Sequence, residues 1–437
     1  MLSPGATADP VDDPRPPARP AAAVFDDACA HGVPGLAERQ RVLGMGAYEA
    51  GGHGAEVLLS DGRTVLDFGS YAVPLFGHRP EPVLDAVRAS LDELPASTRL
   101  LVNPRPARLA ARLAALVDPG RLERVWFGLN GCDAVEAALK LAIAHTGRPA
   151  VVAVRGAFHG KSMGALAVTY DPVRRDPVRG FLGDVRHIPW EPDAVARAAG
   201  ERPFAALIFE PVQGEGGGRA IPPALLRRWS ADARAAGAFV VADEIQCGLR
   251  RCGPVSVAVA EGAAPDAVLF GKPLGGGVLP LSALVGTEDL FAPLRADPFF
   301  HGTTFGGHPA GCAAGLAALD LLDTLADRFE PVAAGLAAVA ARLAADHPDV
   351  VVAARARGLF AALEFTGPEQ AGLAMFQAAR RGLLLAQCLT EPAVLRMLPP
   401  AVTEPGQLAA AAGILEAAVR AVRPRTGPRR RAGLAES

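Results

Sequence analysis

The sequence predicts an α/β fold in which a mostly parallel sheet carries helices on both faces. Two short apolar runs, Phe239 to Ala242 and Ala267 to Phe270, have the length and the turn-bounded character of fully buried strands. On either side of these runs, strand-like segments alternate with helix-like segments along the chain. Such alternation is typical of βαβ units, which build parallel sheets.

The N-terminal part predicts a tail, a helix and a β-hairpin. Residues 1–20 are dense in proline, which disrupts both helix interiors and strand pairing, so we expect a disordered tail. A helical stretch is expected near residues 21–41. Residues 56–59 and 64–68 then predict two antiparallel strands, joined by a turn that contains Asp61-Gly62.

A possible phosphate-binding turn follows predicted helices at 81–94 and 106–116 and a strand at 124–127. The turn Gly128 to Asp133 runs directly into a strong helix over residues 134–142. A glycine-bearing turn at a helix N-terminus offers free N–H groups and the positive end of the helix dipole, which suits a phosphate. Taken alone, the same pattern describes an ordinary capped helix, which is the commoner case.

The rest of the chain continues the alternation and then changes character. We expect strands at 151–154, 205–209 and 281–286, a helix at 223–236, and an Ala-rich helix that ends near residue 326. From Glu330, a helix, strands at 350–354 and 359–365 and a helix near 367–381 predict a separate α+β unit. Residues 424–437 predict a basic tail, for which solvation is a simpler interpretation than nucleic-acid binding.

The composition limits the class of function. The 437 residues are half hydrophobic and carry a net charge of −2, which gives no reason to expect nucleic acid or a membrane surface as a partner. Six cysteines are scattered without CxxC pairs or zinc-ligand spacing, so we expect reduced thiols, no metal site and a cytoplasmic location. No apolar stretch approaches the length that a membrane span needs.

Each of the two central strands delivers ionisable residues at its end. The first ends on Asp243 and Glu244, and Lys272 follows the second, with three glycines close behind it. Open α/β sheets bind ligands at the carboxyl ends of their strands, so an acid and an amine at this edge indicate a cofactor site. Taken alone, the lysine is more simply a solvated loop residue and the aspartate a helix cap.

Four motifs, in order, resemble those of one family over roughly residues 56–400. They are FEPVQGEGG at 209–217, VADEIQCGL at 241–249, FGKPLGGG at 270–277 and HGTTFGGHPAG at 301–311. The family is the class III (ω-amino acid) aminotransferases, and the motifs are similar to those of ornithine, acetylornithine and diaminobutyrate aminotransferases. The resemblance implies a homodimeric enzyme of pyridoxal-phosphate fold type I.

The resemblance also implies a domain organisation. A large domain over residues 69–310 would bind pyridoxal 5′-phosphate on a mostly parallel mixed sheet flanked by helices. A smaller α+β domain would combine an N-terminal segment, residues 21–68, with residues 311–423.

By the same resemblance, four residues would surround the cofactor ring. Lys272 would hold the cofactor as a Schiff base and then act as the base that moves a proton, a role that requires a neutral amine. Asp243 would keep the pyridine nitrogen protonated, so that the ring can act as an electron sink. Gln246 would lie beside the phenolic oxygen, and Phe158 would stack on the ring face.

The phosphate would be held by backbone N–H groups of Gly131 and Cys132. This chain reads Asn130-Gly131-Cys132-Asp133 where the family usually has serine-glycine-threonine-glutamate, so a thiol replaces a hydroxyl donor at Cys132. Thr304 resembles the threonine that reaches the phosphate from the neighbouring subunit. Each active site would then be built at a dimer interface.

Five residues are implied in substrate binding. Arg396 matches the arginine that grips the α-carboxylate of glutamate or its oxoacid, and Glu215 matches the glutamate that pairs with this arginine when a substrate arrives amine end first. Tyr71 aligns with an aromatic of the substrate pocket. Lys161 stands where relatives often have arginine, and Glu56 where ornithine-type enzymes have tyrosine. For Tyr71, Lys161 and Glu56, a role without substrate contact is an equal alternative.

The hypothesis that follows is a ping-pong aminotransferase that moves an ω-amino group from an ornithine-like or diaminobutyrate-like donor to 2-oxoglutarate. One alternative is a natural-product tailoring aminotransferase that acts on a carrier-bound, peptidyl or sugar carbonyl. Its support is the departures at Cys132, Lys161 and Glu56 and the uncommon Cys247 and Arg251-Cys252. Another is a binding protein of the same fold that does not transaminate. The retained Lys272 and Asp243 argue against the last alternative.

Overall fold

The structure is a computed structural model, and it describes residues 19–422. The tail predicted for residues 1–20 lies outside the described residues apart from Arg19 and Pro20, and the basic tail predicted for 424–437 lies outside them entirely. Among the described residues, no single helix is long and apolar enough to cross a membrane. One helix pair, Pro309–Thr324 with Ala326–Asp346, meets that test of length and composition jointly but is bent by 72°.

The N-terminal segment forms two helices and three strands. They are α1 (Ala21–His31), α2 (Pro34–Leu43), β1 (Glu49–His53), β2 (Glu56–Leu59) and β3 (Thr64–Asp67). The single helix predicted near 21–41 is divided, because Pro34 has no N–H to continue a helix and starts a new one at its N1 position. The predicted hairpin is confirmed: β2 and β3 pair antiparallel around Gly62, whose φ of +84° favours glycine.

The middle of the chain alternates strands and helices. The first half comprises α3 (Glu81–Glu93), α4 (Pro104–Val117), β4 (Arg124–Gly128), α5 (Gly131–Thr146), β5 (Ala150–Val154), α6 (Met163–Val168), α7 (Pro172–Arg175), β6 (Asp184–Ile188), α8 (Ala194–Glu201) and β7 (Ala206–Phe209). The second half comprises β8 (Val212–Gln213), β9 (Arg219–Ala220), α9 (Pro223–Ala235), β10 (Phe239–Asp243), α10 (Val257–Ala260), β11 (Ala267–Phe270), β12 (Ser282–Gly286), α11 (Ala292–Ala296) and α12 (Pro309–Thr324). Two short 3₁₀ segments lie at Asp176–Phe181 and Lys272–Gly275.

Seven of these strands form the central sheet in the order β4-β12-β11-β10-β7-β5-β6. Strand β10 is parallel to both β7 and β11, whereas β12 runs antiparallel to its neighbours β11 and β4. Both central strands are buried along their whole length, as their continuous apolar sequence predicts. The predicted α/β class with a mostly parallel mixed sheet is confirmed.

The C-terminal part forms a second layered unit. Its elements are α13 (Ala326–Asp346), β13 (Val351–Arg357), β14 (Phe360–Phe365), α14 (Pro368–Ala379), β15 (Leu383–Leu384), β16 (Ala386–Gln387), β17 (Val394–Met397) and α15 (Pro405–Ala421). Strands β13, β14, β17 and β16 form one antiparallel sheet, and β15 pairs in parallel with β3 of the N-terminal hairpin. The two ends of the chain therefore share one apolar core, which includes Leu66, Phe68 and Leu363.

Helix α12 belongs by packing to the central sheet. It contacts α3 and α4, and buried residues along it, from Ala310 to Leu322, lie in the same core as the strands of that sheet. The predicted domain boundary between residues 310 and 311 falls in the first turn of this helix, whereas the core of the C-terminal unit begins to form only along α13.

Candidate active site

Asp243 and Lys272 meet at one edge of the central sheet. Because β10 and β11 are parallel neighbours, Asp243 at the end of the first lies opposite Leu269, one residue before the end of the second. Lys272 follows Gly271 directly after β11, in a strained backbone conformation with φ of +44°. Both side chains line a cavity of about 220 Å³. The residues that share it are Asn130, Gly131, Cys132, Phe158, His159, Gly160, Glu210, Glu215, Ile245 and Gln246.

The N-terminus of α5 forms one wall of this cavity. The helix begins at Gly131, and a reciprocal cap joins Asn130 and Asp133. The N–H groups of Gly131 and Cys132 lie in the first turn, where a helix supplies no acceptor, so they are available to an anion. A Cβ at Gly131 would come within 2.9 Å of the Ile245 side chain, so glycine allows the helix to approach the cavity this closely.

The carboxylate of Asp243 is held by two partners. His159 Nδ1 lies 2.7 Å from its Oδ2, and the Ile245 N–H donates to its Oδ1 at 3.1 Å. His159 is buried, and its second ring nitrogen, Nε2, has no protein partner among the described residues. Sequence reasoning did not select His159. Its place beside Phe158 in a glycine-flanked loop after a buried strand was the available signal.

Glu210 was also not selected, although the strand that precedes it was predicted. Its carboxylate accepts hydrogen bonds from the Phe158 N–H at 2.8 Å and from the Gly214 N–H at 3.1 Å. It therefore joins the loop that bears Phe158 to the loop that bears Glu215. Burial raises the pKa of the Glu210 carboxyl to about 7, and the nearby His159 opposes that rise.

The amine of Lys272 lies in surroundings that favour its neutral form. Burial lowers the pKa of Lys272 below its ordinary value, because the charged ammonium loses hydration, while the carboxylates of Glu215 and Asp243 oppose the shift. A lysine with a lowered pKa can act as a nucleophile or a base near neutral pH. The other lysines of the chain, Lys140 and Lys161, are exposed, and neither lines the cavity.

A buried ion pair connects the two halves of the molecule beside Lys272. Arg396 Nη1, on β17 of the C-terminal sheet, contacts Oε1 of Glu215, which follows β8 of the middle segment. Arg396 is fully buried and Glu215 is 5% exposed. The Leu389 N–H donates to the other Glu215 oxygen at 2.7 Å, and Arg396 Nη1 lies 3.4 Å from Oε1 of Gln246. This arginine therefore has an acid that can neutralise it, and the pair lies at the wall of the cavity.

The chain matches known proteins along most of its length. The sequence profile of Aminotransferase class-III matches residues 44–419. The chain belongs to the class-III aminotransferases.

Solved structures of the family show the same architecture. Ornithine aminotransferase from Toxoplasma gondii ME49 is 26% identical with a TM-score of 0.78, covering 86% of this chain and 91% of its own. An amine transaminase from an uncultivated Pseudomonas species, solved in its pyridoxal-phosphate-bound form, is 27% identical with a TM-score of 0.79, covering 86% and 95%. An adenosylmethionine-8-amino-7-oxononanoate aminotransferase from Methanocaldococcus jannaschii shares the fold at 21% identity and a TM-score of 0.79, covering 86% and 93%.

Class-III aminotransferases use pyridoxal phosphate, and the cavity of this aminotransferase fits that cofactor. The free N–H groups at the start of α5 suit its phosphate. Gln246 Nε2 and His159 Nε2 are buried at the cavity without a protein partner among the described residues, so they are free to bond a polar group bound there. Asp243 offers a buried carboxylate to a protonated ring nitrogen.

The remaining residues predicted for the site of this aminotransferase lie around or away from the cavity. The Tyr71 ring centroid is 5.8 Å from the Arg396 guanidinium, so Tyr71 lies next to the ion pair. Thr304 is exposed and does not line the cavity of its own chain, and its carbonyl accepts from Arg99 Nη1 at 3.2 Å. Lys161 is exposed. Glu56 accepts from Gln407 Nε2 at 2.8 Å, in a separate groove.

In this chain, therefore, the structure brings eight of the predicted site residues to the cavity or its ion pair, with Tyr71 beside them, and leaves three apart. The eight are Gly131, Cys132, Phe158, Glu215, Asp243, Gln246, Lys272 and Arg396. Lys161 and Glu56 lie outside the cavity, so they give no support to the tailoring alternative. Thr304 occupies the exposed position that a residue serving a neighbouring subunit would need.

Proposed function

We propose that this class-III aminotransferase transfers the ω-amino group of a diamino acid, such as ornithine or diaminobutyrate, to 2-oxoglutarate. The products are the donor's semialdehyde and glutamate, and the reaction follows a ping-pong course. Donor and acceptor use the same cavity in turn. The site lies between a large domain, proposed for residues 69–310 and extended by α12 through its packing, and a small domain composed of residues 21–68 and the remaining C-terminal segment up to residue 423.

The buried Glu215–Arg396 pair carries this proposal. A donor that enters amine end first brings no carboxylate to Arg396, and Glu215 then neutralises the arginine, as it does in the structure. An acceptor with a carboxylate next to its carbonyl displaces Glu215 and takes the planar guanidinium in a two-point contact. One cavity thereby serves two substrates whose reacting ends carry different charges.

The other residues supply binding and proton transfer. Pyridoxal phosphate, when bound, supplies an electron sink for the carbon that loses a proton. Asp243, oriented by His159, would hold the proton on the ring nitrogen, and Gln246 would bond the phenolic oxygen. Phe158 would pack against one ring face, and the N–H groups of Gly131 and Cys132 would donate to the phosphate. Lys272 Nζ takes the proton from the substrate carbon and returns it, a transfer that requires its neutral form.

We also propose that the enzyme is a cytoplasmic homodimer. Thr304 would complete the phosphate site of the neighbouring subunit, which accords with its exposed position. Exposed apolar side chains at Leu100, Leu101 and Val102, each at least 77% exposed, lie in the segment whose Arg99 contacts the Thr304 loop. Such a patch suits an interface with a second copy.

The test is formation of glutamate by the purified holoenzyme. Ornithine, diaminobutyrate and a panel of other ω-amines are each supplied with 2-oxoglutarate, and both glutamate and the aldehyde product are measured. We expect equal amounts of the two products from at least one diamino acid. The Lys272→Ala variant should form neither, whereas Lys140→Ala, at an exposed lysine, should match wild type. The absence of glutamate with every ω-amine would contradict the proposal.

A further inference from the structure

Arg251 is a buried arginine that does not line the active-site cavity. It lies on the loop after β10, a few residues beyond Gln246, and is fully buried. It makes no ion pair with any described residue, and its hydrogen bonds all go to backbone carbonyls. Its Nη1 donates to Leu359 at 3.1 Å and to Pro399 at 2.6 Å, and its Nη2 donates to Ala72 at 3.4 Å.

These three carbonyls belong to three separate segments of the chain that meet at the Arg251 guanidinium. Ala72 follows Tyr71 in the loop after β3, Leu359 lies in the turn between β13 and β14, and Pro399 follows β17, the strand that carries Arg396. The contact is reinforced by the Leu359 N–H, which donates to the Arg251 carbonyl at 2.8 Å. Arg251 thus joins the chain beside Tyr71 to the chain beside Arg396.

The segment that Arg251 holds is strained. Tyr71 and Ala72 have φ values of +52° and +69°, which is unfavourable for residues with a Cβ. Such conformations persist only when the surrounding structure holds them, and they concentrate at functional sites. Leu249 and Arg250, just before Arg251, have φ values of +51° and +66°, so the loop that carries Arg251 is strained as well.

Arg251 carries a buried charge that no direct ion pair balances among the described residues, and Asp67 attracts it only at longer range. Burial lowers the pKa of Arg251 to about 10, so the group stays charged at neutral pH. A buried charge without a direct ion-pair partner is unfavourable, and an apolar side chain could fill the same volume. The guanidinium spreads its donors over separate nitrogens, here Nη1 and Nη2, and so reaches carbonyls that lie apart, whereas lysine has its three donors on one compact nitrogen.

We propose that Arg251 is a positioning residue for carboxylate recognition. By holding the carbonyls of Ala72 and Pro399, it keeps the ring of Tyr71 near the guanidinium of Arg396, at the observed 5.8 Å. The ring and the arginine then present one preformed surface to the carboxylate of the acceptor. This inference deepens the proposed function and rests on its assignment of Arg396 as the carboxylate-binding group.

The test measures the affinity of the holoenzyme for glutarate, a dicarboxylate that lacks the reactive carbonyl of 2-oxoglutarate. Isothermal titration calorimetry gives the dissociation constant without turnover. We expect Arg251→Lys to raise the dissociation constant of glutarate about tenfold, because lysine cannot keep the hydrogen bonds of the guanidinium to all three carbonyls. The matched control is Arg250→Lys. Its guanidinium contacts the Leu322 carbonyl at 3.2 Å and the Phe329 ring, away from Tyr71, so its dissociation constant should stay near that of wild type.

A double-mutant comparison separates positioning from a general structural role. If Arg251 acts through Tyr71, then adding Arg251→Lys to Tyr71→Ala should change the dissociation constant of glutarate less than about twofold beyond Tyr71→Ala alone. Thermal unfolding and cofactor content of each variant show whether the fold is retained. The proposal would be overturned if the double variant showed the product of the two single fold-changes in dissociation constant. Wild-type affinity for glutarate in Arg251→Lys would overturn it as well.

Two further outcomes are decisive. If Arg251→Lys does not fold, Ala72→Gly tests the same link from its other end, because glycine loosens the strained turn. Weaker glutarate binding supports the proposal, and unchanged binding overturns it. Wild-type enzyme that fails to bind glutarate also overturns it. If wild-type enzyme binds glutarate but forms no glutamate from 2-oxoglutarate, the proposed function is contradicted. The glutarate affinities of the variants then still decide whether Arg251 positions the carboxylate-binding residues.

Discussion

Glu210 links the two loops that approach the cavity from opposite sides. One oxygen of its carboxyl group accepts a hydrogen bond from the Phe158 N–H, and the other accepts one from the Gly214 N–H. Burial nevertheless raises its pKa to about 7. The group therefore changes charge within the pH range in which an aminotransferase works.

This shift predicts a stability difference between wild type and Glu210→Gln that depends on pH. Because the folded-state pKa of about 7 exceeds the ordinary value of 4.5, the folded protein binds extra protons between those values. The contribution of Glu210 to stability is present in full below pH 4.5 and is lost as pH rises through 7. Between pH 5 and pH 8, the free energy of unfolding of wild type should fall by about 1 to 3 kcal/mol relative to that of Glu210→Gln.

Unfolding of both proteins by urea at several pH values measures this difference. Parallel curves for the two proteins across the range would contradict the assigned shift. The amide removes the titration while keeping the volume of the side chain.

Arg396 is the residue on which acceptor affinity depends in the proposed function. Arg396→Lys keeps a positive charge but loses the two-point contact with a carboxylate, and charge-assisted bonds of this kind contribute about 1.5 to 3 kcal/mol. We predict a rise in KM for 2-oxoglutarate of about 10-fold or more, with a much smaller change in the rate of the donor half-reaction. Steady-state kinetics and single-turnover spectra measure the two separately.

The matched control for this prediction is Arg355→Lys. Arg355 lies on β13 in the same sheet, half-buried and paired with Glu364. It should leave the KM for 2-oxoglutarate unchanged. An equal loss in both half-reactions of Arg396→Lys would show that the arginine supports the fold rather than the acceptor.

At the level of elements, helix α5 places its N-terminus against the cavity, and Cys132 occupies its first turn. The thiol is a weak hydrogen-bond donor, whereas the hydroxyl of serine is a good one. Cys132→Ser should therefore bind pyridoxal phosphate more tightly, by about 2-fold to 10-fold, if the side chain faces the phosphate. Cys29→Ser, at a half-buried cysteine on α1 outside the cavity, should have no effect.

Equilibrium titration of the apoenzyme with pyridoxal phosphate, followed by intrinsic fluorescence, measures this affinity. Weaker binding in Cys132→Ser would show that the thiol occupies the site in a way that a hydroxyl cannot. The result does not depend on catalytic activity.

The elements that the sequence predicted best are the buried central strands. Strands β10 and β11 are continuous apolar runs bounded by turns, and their ends place Asp243 and Lys272 at one edge. Strand β6, which reads DVRHI and lies at the sheet edge, was missed because its mixed polarity carries neither a buried nor an alternating pattern. The short β15 and β16 were missed because two residues carry no periodicity.

Contacts between distant segments explain what sequence reasoning missed at the site. Asp243 and Lys272 follow the ends of adjacent parallel strands, so their proximity was predictable, and the glycine-bearing helix start marked Gly131 as a possible anion site. His159 contacts Asp243, 84 positions away, and Glu210 accepts from Phe158, 52 positions away, and no local pattern encodes either contact. Family motifs, rather than spacing, suggested the meeting of Glu215 with Arg396 across 181 positions.

At the scale of the whole molecule, the proposed dimer makes a prediction about mixed subunits. If Thr304 serves the neighbouring site, a mixed dimer of Lys272→Ala and Thr304→Ala collects both defects in one site, so the other site combines an intact Lys272 with an intact Thr304. Mixing the unfolded variants and refolding them together should recover roughly one quarter of wild-type activity. Each variant refolded alone should stay well below that level.

The decisive comparison is activity against mixing ratio. A maximum near equal amounts supports a site shared between two chains. If every mixture shows only the activity expected from the fraction of Thr304→Ala that it contains, then each chain builds its site by itself. Analytical ultracentrifugation of wild type provides the accompanying measure of subunit number.

The identity of the lysine that holds the cofactor tests the central claim most directly. The chain contains only three lysines, Lys140, Lys161 and Lys272, and only Lys272 lines the cavity. Borohydride reduction of the holoenzyme fixes the link between cofactor and lysine, and peptide mass spectrometry then locates it. We predict a phosphopyridoxyl group on Lys272 at close to one per chain. A label on Lys140 or Lys161, or no labelled lysine in protein that retains its cofactor, would contradict the account.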